Sequence, residues 1–257
     1  MFLESVHIAD VPVHNLTMQE TLDVIEEFVA EGQPVYLGSI NADMIVRCNR
    51  DGAFAQYYKK CHLCLTDGVP VLWASKFLGT PIKEKVAGSD LVPRLCELAQ
   101  AKGYKLYFLG GRPGAAAAAK AKLLNNFPHL KIVGTYAPPF GFEKDPQELK
   151  TIEAKIRQAK PDILLVGLGA PKQEQWIRQH YQHLGVPIMM GVGVTFEFIA
   201  EIVKRAPEWM QKIGLEWSWR LMMEPRRLWK RYLIDDMQFF SLVLKQKFNQ
   251  SAIFSGR

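Results

Sequence analysis

Apolar positions along the chain follow two alternating rhythms, and together they predict a parallel sheet covered by helices. From Leu16 onward, helix-length segments with an apolar residue every three or four positions alternate with short, nearly continuous apolar runs. LTMQETLDVIEEFVAEG shows the first rhythm: Leu22, Ile25, Phe28 and Val29 share a face, Thr17 and Glu20 form a capping pair, and Gly32 is the stop. SDLVPRLCELAQAKG, GAAAAAKAKLLNNF, PQELKTIEAKIRQAK and KQEQWIRQHYQHLG read as further helices. The second rhythm gives six strands, PVYLGSI, HLCLT, KLYFLG, KIVGTY, DILLVGL and PIMMGV. The expected fold class is α/β, a Rossmann-like parallel sheet covered by helices. Beyond Ala206-Pro207 the strand signals stop, and helical segments interrupted by Gly214 and Pro225 follow, with Pro225 suited to the first turn of a new helix. This places an α/β domain over 1–205 and a helical appendage over 206–257. From Met237 the appendage reads as an amphipathic helix with a loose end.

Charge sharpens the division. The net charge is +6, yet residues 1–203 hold 21 basic and 21 acidic side chains while 204–257 hold 11 and 5. All of the excess lies in the appendage, which implies an anionic partner: nucleic acid, a phospholipid surface or a phosphorylated substrate. With 48% hydrophobic residues in 257, the chain can bury a real core. Glu4, His7 and Asp10 interrupt any basic-then-apolar signal pattern, so a cytoplasmic protein with reduced thiols is expected. Cys61-His-Leu-Cys64 has no second pair, and neither zinc nor redox function is expected of it. No apolar run reaches the roughly 18 residues of a membrane span.

Ligands of open α/β sheets bind beyond the carboxyl ends of the strands, and five strand ends here are suggestive. They run into Asn41-Ala42-Asp43, Asp67-Gly68, Gly110-Gly111-Arg112-Pro113-Gly114, Gly169-Ala170-Pro171-Lys172-Gln173-Glu174, and Gly193. Each has a plain alternative. Asp67 is either a helix cap or a carboxylate in a cleft. Gly110 to Gly114 is either a strand-to-helix turn or a phosphate site with Arg112 beside it. Gln173 and Glu174 occupy a first helical turn, where acidic residues are common. No GxGxxG is completed, no P-loop or GxSxG occurs, and neither HExxH nor Asp-x-Asp is present, so no metal or cofactor is expected.

Asn41-Ala42-Asp43, LTDGVPVLW, KVAGSD, GLGAPKQEQW, GVGVTFEF, KRAPEWMQKIGLEW and EPRRLWKRY resemble, in this order, the motifs of the WecG/TagA/CpsF glycosyltransferases, glycosyltransferase family 26, over roughly residues 10 to 233. The resemblance implies an inverting, metal-independent transfer from a UDP-sugar to a polyprenyl-diphosphate-linked GlcNAc at the inner face of the bacterial membrane, with an N-acetylmannosamine-type donor. It implies Asp67 as catalytic base, Ser39, Asn41, Lys85 and Gln173 as pocket residues, and Arg220, Arg227 and Lys230 as basic residues of the appendage. It also implies self-association. Two positions depart from the family pattern, which has Thr at Ser39 and Arg at Lys85, a planar fork where this chain offers a point charge. Beside these, the residues themselves offer Gly110, Gly111 and Glu174 at strand ends, with Arg231 on the appendage.

The stretch Arg205 to Leu233 holds four of the six tryptophans among seven basic residues. Three readings compete: core packing through Trp217, Leu221, Leu228 and Tyr232; nucleic-acid binding; and a membrane-proximal lid. If the helix ran on through Pro225, Arg220, Arg227 and Arg231 would share one stripe facing a diphosphate. No nucleic-acid signature accompanies the stretch, so the expected partners are the UDP-sugar, the lipid-linked acceptor and an anionic membrane surface. A nucleotide-cofactor oxidoreductase and a basic nucleic-acid module remain the alternatives.

Overall fold

The computed structural model describes residues 3–255, and the side chains of 3–250. In chain order it begins with strands β1 (Ser5–Ile8) and β2 (Val11–His14), helix α1 (Met18–Glu31), β3 (Val35–Ile40), α2 (Ala42–Arg50), α3 (Gly52–Lys59), β4 (Leu63–Thr66) and α4 (Val69–Leu78). It continues with α5 (Gly88–Lys102), β5 (Lys105–Gly110), α6 (Ala115–Asn126), β6 (Lys131–Tyr136), α7 (Pro146–Ala159), β7 (Ile163–Gly167), α8 (Lys172–His180), β8 (Ile188–Gly191) and α9 (Thr195–Ile199). The last third is helical: α10 (Glu208–Lys212), α11 (Glu216–Met223), α12 (Pro225–Lys230) and α13 (Met237–Ser255). The loose end expected after that helix lies outside the described residues.

The six expected strands form one parallel sheet in the order β4-β3-β8-β7-β5-β6, flanked by helices. Its central strands are apolar on both faces because both faces are covered. All five residues of β7 are buried, as are the last five of β5, and Phe108 stacks on Phe196 of α9 with ring centroids 4.9 Å apart.

Two compact units interleave along the chain. The second comprises Met18–Gly38 and Gly88–Lys204 and holds strands β5 to β8, with α6 on α9 and α1 on α5. The alanines of α6 serve that packing, since Ala115, Ala116 and Ala119 are all buried. The first comprises the residues up to Thr17, Ser39–Ala87 and everything from Arg205 onward. The described residues from Arg205 onward therefore share a unit with β4, α2, α3 and α4.

The first unit contains an antiparallel hairpin that the apolar rhythm does not announce, β1 with β2. Its two-residue turn is Ala9-Asp10, both at positive φ (48° and 64°), a geometry that usually selects Asn-Gly. Helix α13 supports the turn: Gln246 Oε1 accepts from the Ala9 N–H at 2.7 Å, and its amide nitrogen donates to the His7 carbonyl at 2.9 Å. Strand β2 is tied to β4 by His14, whose Nδ1 accepts from the Cys64 N–H at 2.9 Å. Cys64 itself is buried and its thiol is pushed well above its ordinary value by its hydrogen bond with Cys61 and by burial, the reverse of what a reactive thiolate needs.

Candidate active site

In the first unit, the ends of β3 and β4 emerge side by side. The Asp67 N–H donates to the Ile40 carbonyl at 2.7 Å, and a Cβ on Gly68 would lie 3.7 Å from the Asn41 Cβ. Asn41 caps α2, its Oδ1 accepting from the Met44 N–H at 3.1 Å, which turns its amide nitrogen into the end that can donate to a ligand. Lys85 is brought in through the main chain, because the next residue, Val86, donates its N–H to the Thr66 carbonyl at 2.8 Å. Ser39 lends its carbonyl to the Tyr58 hydroxyl at 3.1 Å, while its own Oγ is buried with no protein partner. A buried hydroxyl without a partner is costly unless water or ligand reaches it. Ser39, Asn41, Asp67 and Lys85 are thus gathered by two strand ends and one backbone bond.

Asp67 stands one residue before the N-cap position of α4, not at it. That position is held by Gly68, which has no side chain to offer. Asp67 is half-buried at the carboxyl end of β4.

The appendage is seated close by in the same unit. Gly214, between α10 and α11, has φ +80° and sits so near Val69 that a Cβ would come within 2.8 Å of it. That contact is two residues from Asp67. Helix α11 then ends at Glu224 (φ −134°, ψ 58°), and Pro225 occupies the first turn of α12 as expected. The helix does not continue through Pro225, so Arg220, Arg227 and Arg231 do not form one stripe. Arg220 is half-buried on α11; Arg227 and Lys230 are exposed on α12, with Arg227 paired to Glu224. An exposed pair of this kind is worth only about 0–1 kcal/mol and yields readily to a phosphate.

Arg231 has a different place. Its guanidinium lies 3.2 Å from one carboxylate oxygen of Asp43, which is 3% exposed, while Arg47 holds the other oxygen at 2.9 Å. Asp236 lies 4.0 Å from Arg231, and its carboxyl is pushed up to about 6, first by burial and then by the Asp43 and Asp235 charges, against the pull of Arg231 and Arg47. A carboxyl raised above its unfolded value of 3.8 contributes stability that is complete below that pH and lost as pH rises through about 6. Asp236→Asn mimics the protonated form. It is expected to gain about 2–3 kcal/mol over wild type at pH 7.5, a gain that shrinks to well under 1 kcal/mol by about pH 4 when urea unfolding is followed at both pH values.

The core-packing reading of Arg205 to Leu233 holds in full for Leu228, which is 2% exposed, and Ala206 and Met210 are buried as well; Leu221 and Tyr232 are half-buried and Trp217 is exposed. Helix α11 has no buried residue, and Trp209, Trp217, Met222, Trp229, Leu233 and Ile234 are all exposed among the basic side chains.

In the second unit, the strand ends are used first by the chain itself. Gly110 has φ 102°, and a Cβ there would stand 2.6 Å from the Gly167 carbonyl oxygen; the Gly111 N–H donates to that same oxygen at 2.7 Å. The Arg112 N–H, a candidate phosphate donor, instead donates to the Glu197 carboxylate at 2.9 Å. Gln173 is a staple: its amide nitrogen donates to Glu174 at 3.0 Å and its Oε1 accepts from the Gly193 N–H at 2.9 Å. Gly191 makes room for it, since a Cβ would lie 2.2 Å from the Gln173 nitrogen. Glu174 and Glu197 are buried carboxylates, 4% and 5% exposed, just beyond β7 and β8. Glu197 lies inside the motif GVGVTFEF, and only its contact with Arg112, 85 residues away, singles it out.

One group among the described residues has metal-ligand geometry, Glu153, His180 and His183, whose ligand atoms lie within 4.8 Å of one another. The spacing of the histidines alone did not suggest it, because Glu153 comes from a different helix. His180 Nδ1 is 2.8 Å from the Trp176 carbonyl, which can only accept, so the proton sits there and Nε2 faces Glu153. The trio is at the far end of α8 from Gln173 and Glu174.

A family model described as the glycosyl transferase WecG/TagA/CpsF family matches residues 6–253. The chain belongs to that family. Being a glycosyl transferase, it has relatives with more explicit names. It is 27% identical, over 99% of its length and 96% of the relative's, to a Bacillus subtilis (strain 168) protein named N-acetylglucosaminyldiphosphoundecaprenol N-acetyl-beta-D-mannosaminyltransferase. A Staphylococcus aureus (strain MW2) protein of the same name is 28% identical over 88% of this chain and 86% of its own. The matched span of this glycosyl transferase includes both groups of strand-end residues and the appendage.

Proposed function

We propose that this glycosyl transferase moves an N-acetylmannosamine-type sugar from a UDP-sugar to a polyprenyl-diphosphate-linked GlcNAc, in a single displacement that inverts the anomeric centre. The observation that supports it is the half-buried Asp67 at the carboxyl end of β4, with Asn41 beside it and the appendage loop seated two residues away. Asp67 accepts the proton of the acceptor hydroxyl as its oxygen bonds to the anomeric carbon, and the bond from that carbon to the UDP oxygen breaks with its electron pair leaving on the diphosphate. Asn41 and Ser39 orient sugar hydroxyls. Gln173 acts within its own unit, where it holds the Gly193 turn with both ends of its amide engaged. Charge on the departing UDP is met by Lys85, Arg220, Arg227 and Lys230 rather than by a metal, in keeping with a sequence that has no Asp-x-Asp.

No helix among the described residues is long and apolar enough to cross a membrane. The lipid-linked acceptor is reached instead from the surface, by the exposed tryptophans and basic side chains of α10 to α12, at the inner face of the bacterial membrane. An assay of UDP release tests the reading, with a panel of UDP-sugars and a short-chain polyprenyl-diphosphate-GlcNAc, with and without EDTA. Acceptor-dependent release that resists EDTA is the expected result. Silence with every donor, or abolition by EDTA, removes the reading as stated.

A further inference from the structure

The motif LTDGVPVLW places Asp67 at a strand end, and the residues after it build something the transfer chemistry does not use. Pro70, Trp73, Ala74 and Phe77 form one stripe of α4, at the i, i+3, i+4, i+7 spacing of a single helix face. The stripe faces Phe239, Phe240, Val243 and Leu244 of α13 across a groove of about 250 Å³. Phe239 and Val243 are buried and make its floor, whereas Trp73, Phe77, Phe240 and Leu244 are about half-exposed and make its walls. Among the described residues no charged side chain lines it. Lys247 Nζ stands at its edge, 5.7 Å from the centroid of the Phe77 ring.

We infer that this groove binds the first isoprene units of the acceptor's lipid chain. The inference rests on the proposed acceptor and adds to it a site for the part of that molecule that no polar residue can hold. Three observations favour this occupant. The first residue lining the groove, Pro70, follows Asp67 by three residues in the same compact unit, which limits their separation along the backbone to about 11 Å, within reach of a chain leaving the diphosphate. From Pro70 to Phe77 it is about 10 Å long at the helical rise of about 1.5 Å per residue, and its volume is below the roughly 300–1,000 Å³ of pockets that enclose a whole ligand. It therefore takes a segment of a chain and not a sugar nucleotide. Its walls are wholly apolar, and their half-exposed aromatic and aliphatic surface is the kind that hydrocarbon covers at a gain.

Two measurements test the groove, one of them independent of turnover. The first compares kcat/KM for two GlcNAc-diphosphate acceptors, one with a chain of several isoprene units and one with a chain shorter than a single unit. Wild type is expected to prefer the longer chain by on the order of tenfold or more, and Phe77→Ser with Leu244→Ser, both half-exposed positions, to lower the long-chain value toward the short-chain one. Equal losses on both acceptors, or none, would overturn the proposal. The second is photolabelling with a diazirine-bearing prenyl diphosphate, mapped by peptide mass spectrometry. Labelling of α4 and α13 that the double variant abolishes is expected, and labelling elsewhere refutes the site. If neither acceptor reacts yet labelling falls in the groove, the transfer reading has failed and the groove has not. Should the double variant lose binding to phosphatidylglycerol vesicles while its labelling stays intact, the apolar face is a membrane contact and the inference is wrong. Loss of a dimer in sedimentation with labelling intact would likewise assign the face to a second copy.

Discussion

Asp67→Asn is expected to fold as the wild type does and to lose on the order of 10²–10⁴-fold in turnover, the share that a positioned base usually supplies. In barrier terms that is about 3–5 kcal/mol. The fold should not notice the change, because Asp67 is fixed by its main chain: its N–H bonds to the Ile40 carbonyl, and α4 is capped by Gly68. An amide of the same shape keeps both features and removes the basic oxygen. The loss should appear in kcat more than in the KM for either substrate, since a base that accepts its proton in the transition state contributes little to ground-state binding. Coincident unfolding curves for variant and wild type check the first half of the expectation, and UDP release under saturating donor and acceptor checks the second. Near-normal turnover would take Asp67 out of the role and turn attention to the buried carboxylates Glu174 and Glu197.

The parts of the fold that the chain announces are those whose burial is local and periodic. β5 and β7 read as strands because both faces are covered, so apolar residues run on without alternation. The β1–β2 hairpin was silent because Ala9-Asp10 takes up a turn that sequence patterns assign to Asn and Gly. Helix α2 was hidden for another reason: its most buried positions include Asp43, a charge where an apolar stripe would be sought. The site divides in the same way. Asn41 and Asp67 stand out as candidates in the sequence because they directly follow strands, the place where open sheets bind ligands. What Gly110, Gly111 and Gln173 do could not, because it depends on Gly167 and Gly193, 56 and 20 residues away respectively from Gly111 and Gln173, and on main-chain approaches that leave no periodic trace. Arg231 is the sharpest case. It looked like one more cation in a basic stretch, and its partner Asp43 lies at the opposite end of the sequence.

That pair carries the second large effect: Asp43→Ala is expected to cost about 3 kcal/mol in urea unfolding at neutral pH. Removing one member of a buried ion pair usually costs about 3–5 kcal/mol, because the other is left without compensation. Here the low end applies, since the arginines left behind reach water: the side chains of Arg47 and Arg231 are 39% and 26% exposed, against 4% for Asp43. Against a total of about 5–15 kcal/mol for an ordinary domain, the loss is large. A second variant separates the pair from its surroundings. Arg231→Met alone leaves Asp43 to Arg47, and combined with Asp43→Ala it should cost clearly less than the two single changes added together, by about 1 kcal/mol or more if the contact is direct. Strict additivity would mean that Arg231 and Asp43 are neighbours without coupling. The coupling matters beyond stability. Asp43 sits in the first turn of α2, two residues after Asn41, and Arg231 follows directly on α12, so the same bond that holds the appendage also braces the helix whose cap faces Asp67. Asp43→Ala should therefore lower turnover as well, even at temperatures where the protein remains folded, whereas Asp236→Asn, which relieves a repulsive carboxylate in the same network, should leave turnover intact while raising stability.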